Sequence, residues 1–148
     1  MNYDQIYLIG NPIAGGGALK KIKKAEEILR KKGLVFETFL TKKQGDAEVF
    51  AKKIREKQVN KTLVIAAGGD GTYNEVVNGL VYSQIPLAIL PMGTTSVLAK
   101  ELKIPNNIEK AIDVAMNGKV ERIHLGKIKN KEKERFFILM AGIGFDGF

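Results

Sequence analysis

The sequence predicts an α/β fold: a layered parallel sheet with helices on both faces. Short apolar runs rich in Val, Ile, Leu and Ala alternate along the chain with longer segments of helical period. Two of those runs, residues 63–67 (LVIAA) and 85–90 (IPLAIL), are almost wholly apolar rather than alternating, as expected of strands covered on both sides. Glycine-containing loops follow the runs on their carboxyl side, where open α/β sheets bind ligands.

Each element can be justified in turn. Residues 5–10 (QIYLIG) read as the first strand, broken by Asn11-Pro12 and the glycines at 15–17. That loop is long for a plain turn, and its unobstructed N–H groups suit an anion. From Ala18, the spacing of Leu19, Ile22, Ala25 or Glu26, and Leu29 is helical, with lysines over the other face and Gly33 as the stop. Residues 34–40 form the second strand and 41–46 a loop, after which Ala47, Phe50, Ala51 and Ile54 mark another helix.

Residues 61–67 are the third strand, leading into Gly68-Gly69-Asp70-Gly71-Thr72 and a helical pattern that begins near Tyr73. Residues 85–90 are the fourth strand, 97–102 a short helix closed by Ile104-Pro105, and 107–117 a further helix. The period then changes, and residues 119–129 and 134–141 read as a β-hairpin turning at 130–133. The expected division is an α/β domain over residues 1–118 and the start of a β-rich second domain over 119–148. A chain that stops at Gly147-Phe148, inside a glycine motif, is expected to be part of a longer protein.

Composition narrows the chemistry. The 148 residues are 45% hydrophobic and 27% charged, which suits a globular protein with a substantial core. There is no cysteine, which excludes disulfides, thiolate metal sites and a cysteine nucleophile. The single histidine, His124, excludes a His-rich zinc site and reads as a strand-surface or core-edge residue. No run reaches the roughly 18 apolar residues of a membrane span, and the first ten residues lack a basic leader, so a cytoplasmic location is expected. The net charge of +8 gathers in residues 19–32 and 127–135, as solvated surface or as faces for an anionic membrane. Aromatics make up 7% and do not interleave with the basic residues, which argues against a nucleic-acid partner.

The GGDGT turn is the chemical centre. Its glycines are expected to take positive φ and let backbone N–H groups approach a ligand, while the following helix adds its positive end. Together these are expected to make an anion site, with phosphate the usual anion. Asp70 is the discriminating residue, because a carboxylate among phosphates must hold a cation, orient a hydroxyl or accept a proton. The alternative is a plain helix cap. The turn matches neither G-x-x-x-x-G-K-[ST] nor G-x-G-x-x-G. Gly93, Thr94, Thr95 and Ser96, behind the fourth strand, offer hydroxyls that could donate to phosphate or cap the next helix.

Taken together, GGDGTYNEV (68–76), PMGTTSVLAKEL (91–102), NPIAGGG (11–17), the Thr41…Gly45-Asp46-Ala47 stretch and AGIGFDG (141–147) resemble the diacylglycerol kinase catalytic-domain family. The likeness covers essentially the whole chain; GGDG alone is shared with NAD kinases and, loosely, phosphofructokinases. The resemblance implies a Rossmann-like, phosphofructokinase/NAD kinase-like sheet followed by a β-sandwich domain, truncated here, with the active site between them. It implies an ATP-dependent lipid kinase of phospholipid metabolism that uses ATP and Mg²⁺. The γ-phosphoryl group would pass in line to a lipid hydroxyl such as that of diacylglycerol.

ATP contacts carry over by resemblance to Asn11, Pro12, Ile13, Ala14, Gly15, Thr41, Gly68, Gly69, Asp70, Gly71, Thr72, Tyr73, Asn74, Glu75, Gly93, Thr94 and Thr95. Asp70 is the expected catalytic residue, engaging Mg²⁺ or the acceptor hydroxyl, and Glu75 is expected to brace the turn. No metal ligand is assigned with certainty within the chain; the family's general base and magnesium site lie beyond Phe148. The isolated chain is therefore expected to have little or no turnover, to touch an anionic membrane peripherally, and to leave homodimerisation open. Three departures stand out: Ala14 where a Ser is usual, Ser96 for an Asn, and His124 for an Asp. An NAD kinase-like enzyme and a non-catalytic nucleotide-binding module are the alternatives.

Overall fold

The computed structural model describes residues 2–57 and 59–139. The elements in order are β1 (Gln5–Gly10), α1 (Ala18–Lys31), β2 (Phe36–Leu40), α2 (Asp46–Lys57), β3 (Thr62–Gly68) and α3 (Asp70–Leu80). They continue with β4 (Leu87–Pro91), α4 (Val97–Glu101), α5 (Ile108–Asn117), β5 (Gly126–Lys129) and β6 (Glu134–Phe137). The first four strands form one parallel sheet in the order β2-β1-β3-β4. The last two form a separate antiparallel hairpin.

Strand alternation divides the interior into two cores. On one face Ile6 and Leu8 of β1 and Leu63 and Ile65 of β3 pack with Ile22 and Leu29 of α1 and Ile112 of α5. On the other, Tyr7, Ile9, Val64 and Ala66 pack with Ile54 of α2, Tyr73 and Val76 of α3, and Leu98 of α4. Every residue of β3 is buried, which is why its sequence is an unbroken apolar run. The expected sheet with helices on both faces is therefore present. Helix α3 lies close against α2 at Gly79, where a Cβ would stand 2.5 Å from both the Ala51 Cβ and the Glu48 carbonyl oxygen.

Two local expectations are corrected. Helix α3 starts at Asp70 rather than near Tyr73, so Asp70-Gly71-Thr72 is its first turn and not a loop. The turn's glycines do not take positive φ either; among the described residues, the glycines that do are Gly15, Gly17, Gly33 and Gly45. Gly69 is extended (φ −118°, ψ −171°), and the strand passes straight into the helix. What the turn needs at Gly68 is room, because a Cβ there would lie 2.5 Å from the Thr72 Oγ1.

The hairpin is shorter than the alternating pattern suggested. Residues 119–125 carry no regular structure, and β5 opens only at Gly126, against whose Cα the Phe137 ring is pressed. The AGIGFDG motif at 141–147 lies outside the described residues. No helix among the described residues is long and apolar enough to cross a membrane.

Candidate active site

The strand order creates a switch point between the two central strands. From β1 the chain leaves by α1 on one face toward β2; from β3 it leaves by α3 on the other face toward β4. The two loops part company, and a crevice opens at the carboxyl edge of the sheet. The Asn11 N–H donates to the Ala67 carbonyl at 2.9 Å, and the Thr41 N–H to the Gly10 carbonyl at 2.9 Å, so both loops begin at one level. The Asn11 side chain accepts from the Ile13 N–H at 3.1 Å, folding residues 11–13 back on themselves. The glycine loop then faces the loop after β4: a Cβ on Gly15 would meet the Met92 carbonyl at 3.7 Å, and one on Gly93 the Ala14 carbonyl at 3.9 Å.

The residues named from sequence thus converge on one edge from three loops and one helix start. Ile13 (85% exposed), Gly15, Gly71, Thr94 and Thr95 are open to solvent. Asn11, Pro12, Ala14, Thr41, Gly69, Asp70, Asn74, Glu75 and Gly93 are half-buried, and Gly68, Thr72 and Tyr73 are buried.

Helix capping separates the crevice from the rest of the fold. Helix α4 is capped by the Ser96 Oγ, which accepts from the Ala99 N–H at 3.1 Å, and α5 by the Asn107 Oδ1, which accepts from Lys110 N–H at 3.0 Å. Helices α1 and α3 start instead at Gly17 (φ 78°) and Gly69, with no side-chain cap. First-turn N–H groups have no partner within their helix, so these two helix starts retain anion-binding capacity. A Cβ at Gly16, Gly17, Gly69 or Gly71 would meet nothing within 4 Å, so the approach is open.

Both carboxylates of α3 are committed elsewhere. Asp70 Oδ1 accepts from the Ser96 hydroxyl and the Leu98 N–H, both at 3.1 Å, and Oδ2 accepts from the Val97 N–H at 2.9 Å. Asp70 therefore anchors the start of α4; it does not cap the helix that follows it, the alternative weighed from sequence, because it lies inside α3, whose N-cap position is Gly69. Glu75 does not brace its own turn. Its Oε1 accepts from the Gly45 N–H at 3.0 Å and its Oε2 from the Ala47 N–H at 3.2 Å, which caps α2. Gly68 gives its carbonyl to the Met92 N–H at 3.0 Å and to the Tyr73 hydroxyl at 2.8 Å. Burial pushes the Tyr73 hydroxyl's pKa up to about 12; the Ser96 hydroxyl opposes that shift and the Asp70 charge adds to it.

Sequence reasoning missed Lys21. It was grouped with the solvated lysines of α1, yet its Nζ donates to the Met92 carbonyl at 2.6 Å across the crevice. A signal existed: lysine in a helix's first turn opposes the macrodipole, and α1 has no acidic residue there to offset it. Ser96 serves as a cap whose hydroxyl also reaches Asp70. His124 is exposed on the segment before β5.

Beside the start of α3, a cavity of about 300 Å³ is lined by Asp70, Asn74, Val97, Phe137, Ile138 and Leu139. Among the described residues, no group of three or more His, Cys, Asp or Glu side chains is placed to hold a metal ion. The open N–H groups have the chemistry to take anionic oxygens such as those of a phosphate; a magnesium site is not assembled from the described side chains.

This is an open parallel α/β sheet with two uncapped helix starts at the crevice of its switch point. Residues 5–128 match the profile of the diacylglycerol kinase catalytic domain, and the chain belongs to that family. It is 37% identical over 140 residues to a diacylglycerol kinase of Staphylococcus epidermidis, covering 93% of this chain and 42% of the relative. A diacylglycerol kinase of Staphylococcus aureus matches with the same identity and coverage. The crystal structure of a diacylglycerol kinase from Bacillus anthracis superposes with a TM-score of 0.66 at 31% identity, over 86% of this chain and 43% of that one. The chain spans less than half the length of these relatives.

Proposed function

We propose that this chain is the nucleotide-binding part of an ATP-dependent lipid kinase, with residues 1–118 forming the nucleotide domain and 119–148 opening the second. The observation that carries the reading is that α1 and α3 present uncapped N-termini to one crevice, while α4 and α5 are closed by their own side chains and α2 by Glu75. Bound ATP supplies the γ-phosphoryl group. The chain's part is to hold and orient it: the first-turn N–H groups of α3, at Asp70, Gly71 and Thr72, and those of α1 at Leu19 and Lys20 take the anionic oxygens. Lys21 adds a positive charge at the rim, and Thr94 and Thr95 offer exposed hydroxyls from a loop that Asp70 ties down.

The acceptor reading rests on family membership and on the apolar wall of Phe137, Ile138 and Leu139 beside the same helix start. Magnesium enters this account with the nucleotide, and no step is assigned to it. The exposed lysines of α1 support peripheral contact of a cytoplasmic enzyme with an anionic membrane. The test is transfer of labelled phosphate from Mg·ATP by the full-length protein to dioleoylglycerol in detergent micelles, with NAD as the competing acceptor. Labelled lipid supports the reading; labelled NADP with unlabelled lipid replaces it by the NAD kinase-like one.

A further inference from the structure

One side chain of α3, Asn78, takes both backbone groups of Phe136 in the second sheet. The Asn78 Oδ1 accepts from the Phe136 N–H at 3.0 Å, and its Nδ2 donates to the Phe136 carbonyl at 2.9 Å. A primary amide that takes both backbone groups of one residue pairs with it as a neighbouring strand would. Asn78 thus occupies the edge of β6 that β5 leaves unpaired. The same Nδ2 also donates to the Asn74 carbonyl at 2.9 Å, one turn earlier on α3. Asn74, with Asp70, lines the 300 Å³ cavity that is also lined by Phe137, Ile138 and Leu139, the residues that directly follow the clamped Phe136. A single amide therefore links the cavity's polar side to its apolar side.

Ile138 and Leu139 pack against the core that α3 lines, but the polar contacts around them do not fix the register. Tyr82 packs edge-on against Phe136 (centroids 5.6 Å apart) and donates to Glu134 at 2.9 Å, and Arg135 meets Glu48 at 2.6 Å. Glu134 and Arg135 are exposed, and ion pairs and hydrogen bonds between such side chains contribute little and tolerate sliding. The Asn78 clamp, by contrast, matches one residue's donor and acceptor and is lost by a shift of one position.

We infer that Asn78 is a positioning residue: it sets the register of β6 on α3 and so holds the apolar wall over the acceptor side of the site without touching the nucleotide. This rests on the lipid-kinase reading above. The experiment compares full-length wild type, Asn78→Asp and Asn78→Ala by steady-state kinetics, varying dioleoylglycerol in micelles and Mg·ATP separately, and by hydrogen exchange at the Phe136 amide. Asn78→Asp keeps the acceptor for the Phe136 N–H, but sets a carboxylate against the Phe136 carbonyl and removes both donated bonds.

The expected result is a loss of tenfold or more in kcat/KM for the lipid and KM for Mg·ATP within twofold of wild type in both variants, with faster exchange at Phe136 in Asn78→Ala, which alone removes the acceptor. Equal losses for both substrates, or unchanged lipid kinetics with faster exchange, would reduce Asn78 to a general structural contact and overturn the inference. Should Asn78→Ala not fold, Asn78→Asp decides alone. If the wild-type protein labels no lipid, the kinase reading fails and the acceptor assignment with it. Exchange at Phe136 then judges the clamp by itself, and an unchanged rate in Asn78→Ala overturns that too.

Discussion

The Asp70 carboxylate and the Ser96 hydroxyl are 3.1 Å apart, and the same hydroxyl accepts from the Ala99 N–H at 3.1 Å. Through that pair the first turn of α3 holds the first turn of α4, and the loop carrying Thr94 and Thr95 is strung between two fixed points. Replacing Asp70 by Ala withdraws three bonds from the start of α4. The expected cost is about 1–2 kcal/mol, the range of a lost helix cap, with Asp70→Asn costing less because one acceptor oxygen remains. Urea unfolding of the three proteins measures this, and equal midpoints would show that Asp70 contributes nothing to the fold.

Glu75 makes a parallel case at α2. Its two oxygens take N–H groups of Gly45 and Ala47, so Glu75→Ala should destabilise by about 1–2 kcal/mol and speed amide exchange in the first turn of α2. Loss of nucleotide binding without any loss of stability would instead place Glu75 on the ligand.

The glycines of α3 should separate by their surroundings. Gly79→Ala brings a methyl within 2.5 Å of the Glu48 carbonyl, which cannot turn aside, and should cost about 1–3 kcal/mol although alanine is the better helix former. Gly71→Ala meets nothing within 4 Å and should raise stability by about 0.5–1 kcal/mol while obstructing the crevice. Thermal unfolding of both variants checks the opposed signs.

Tyr73 gives a pH signature. Its hydroxyl pKa is raised to about 12 in the folded protein from an ordinary value of 10.0, so its contribution is complete below pH 10 and is lost as pH rises through 12. A shift of this size corresponds to roughly 2–3 kcal/mol. The stability difference between wild type and Tyr73→Phe should therefore shrink steadily from pH 9.5 to 12. A constant difference would mean that Tyr73 is not buried as described.

Much of this was legible in the sequence because its causes are local. The apolar run of β3, the helical spacing of Ile22, Ala25 and Leu29, and the loops behind β1, β3 and β4 all announce themselves within a dozen residues. The Asp70–Ser96, Glu75–Gly45 and Asn78–Phe136 pairs span 26, 30 and 58 residues, and no spacing rule connects them. Lys21 was misplaced for the same reason: its partner is 71 residues away, and only its awkward position in the helix hinted at one. Gly68 was read as a source of positive φ when what it supplies is space for Thr72, a distinction that needs the neighbour to be visible.

In the proposed function, the open helix starts at Gly17 and Gly69 hold the phosphates of a nucleotide. The most direct test is calorimetric titration of Mg·ATP into the full-length protein and its Gly71→Ala variant, with unfolding midpoints measured alongside. Saturable binding by the wild type is expected, with binding at least tenfold weaker in a variant that is equally or more stable. Undiminished binding by Gly71→Ala, or no binding by a folded wild-type protein, would contradict it.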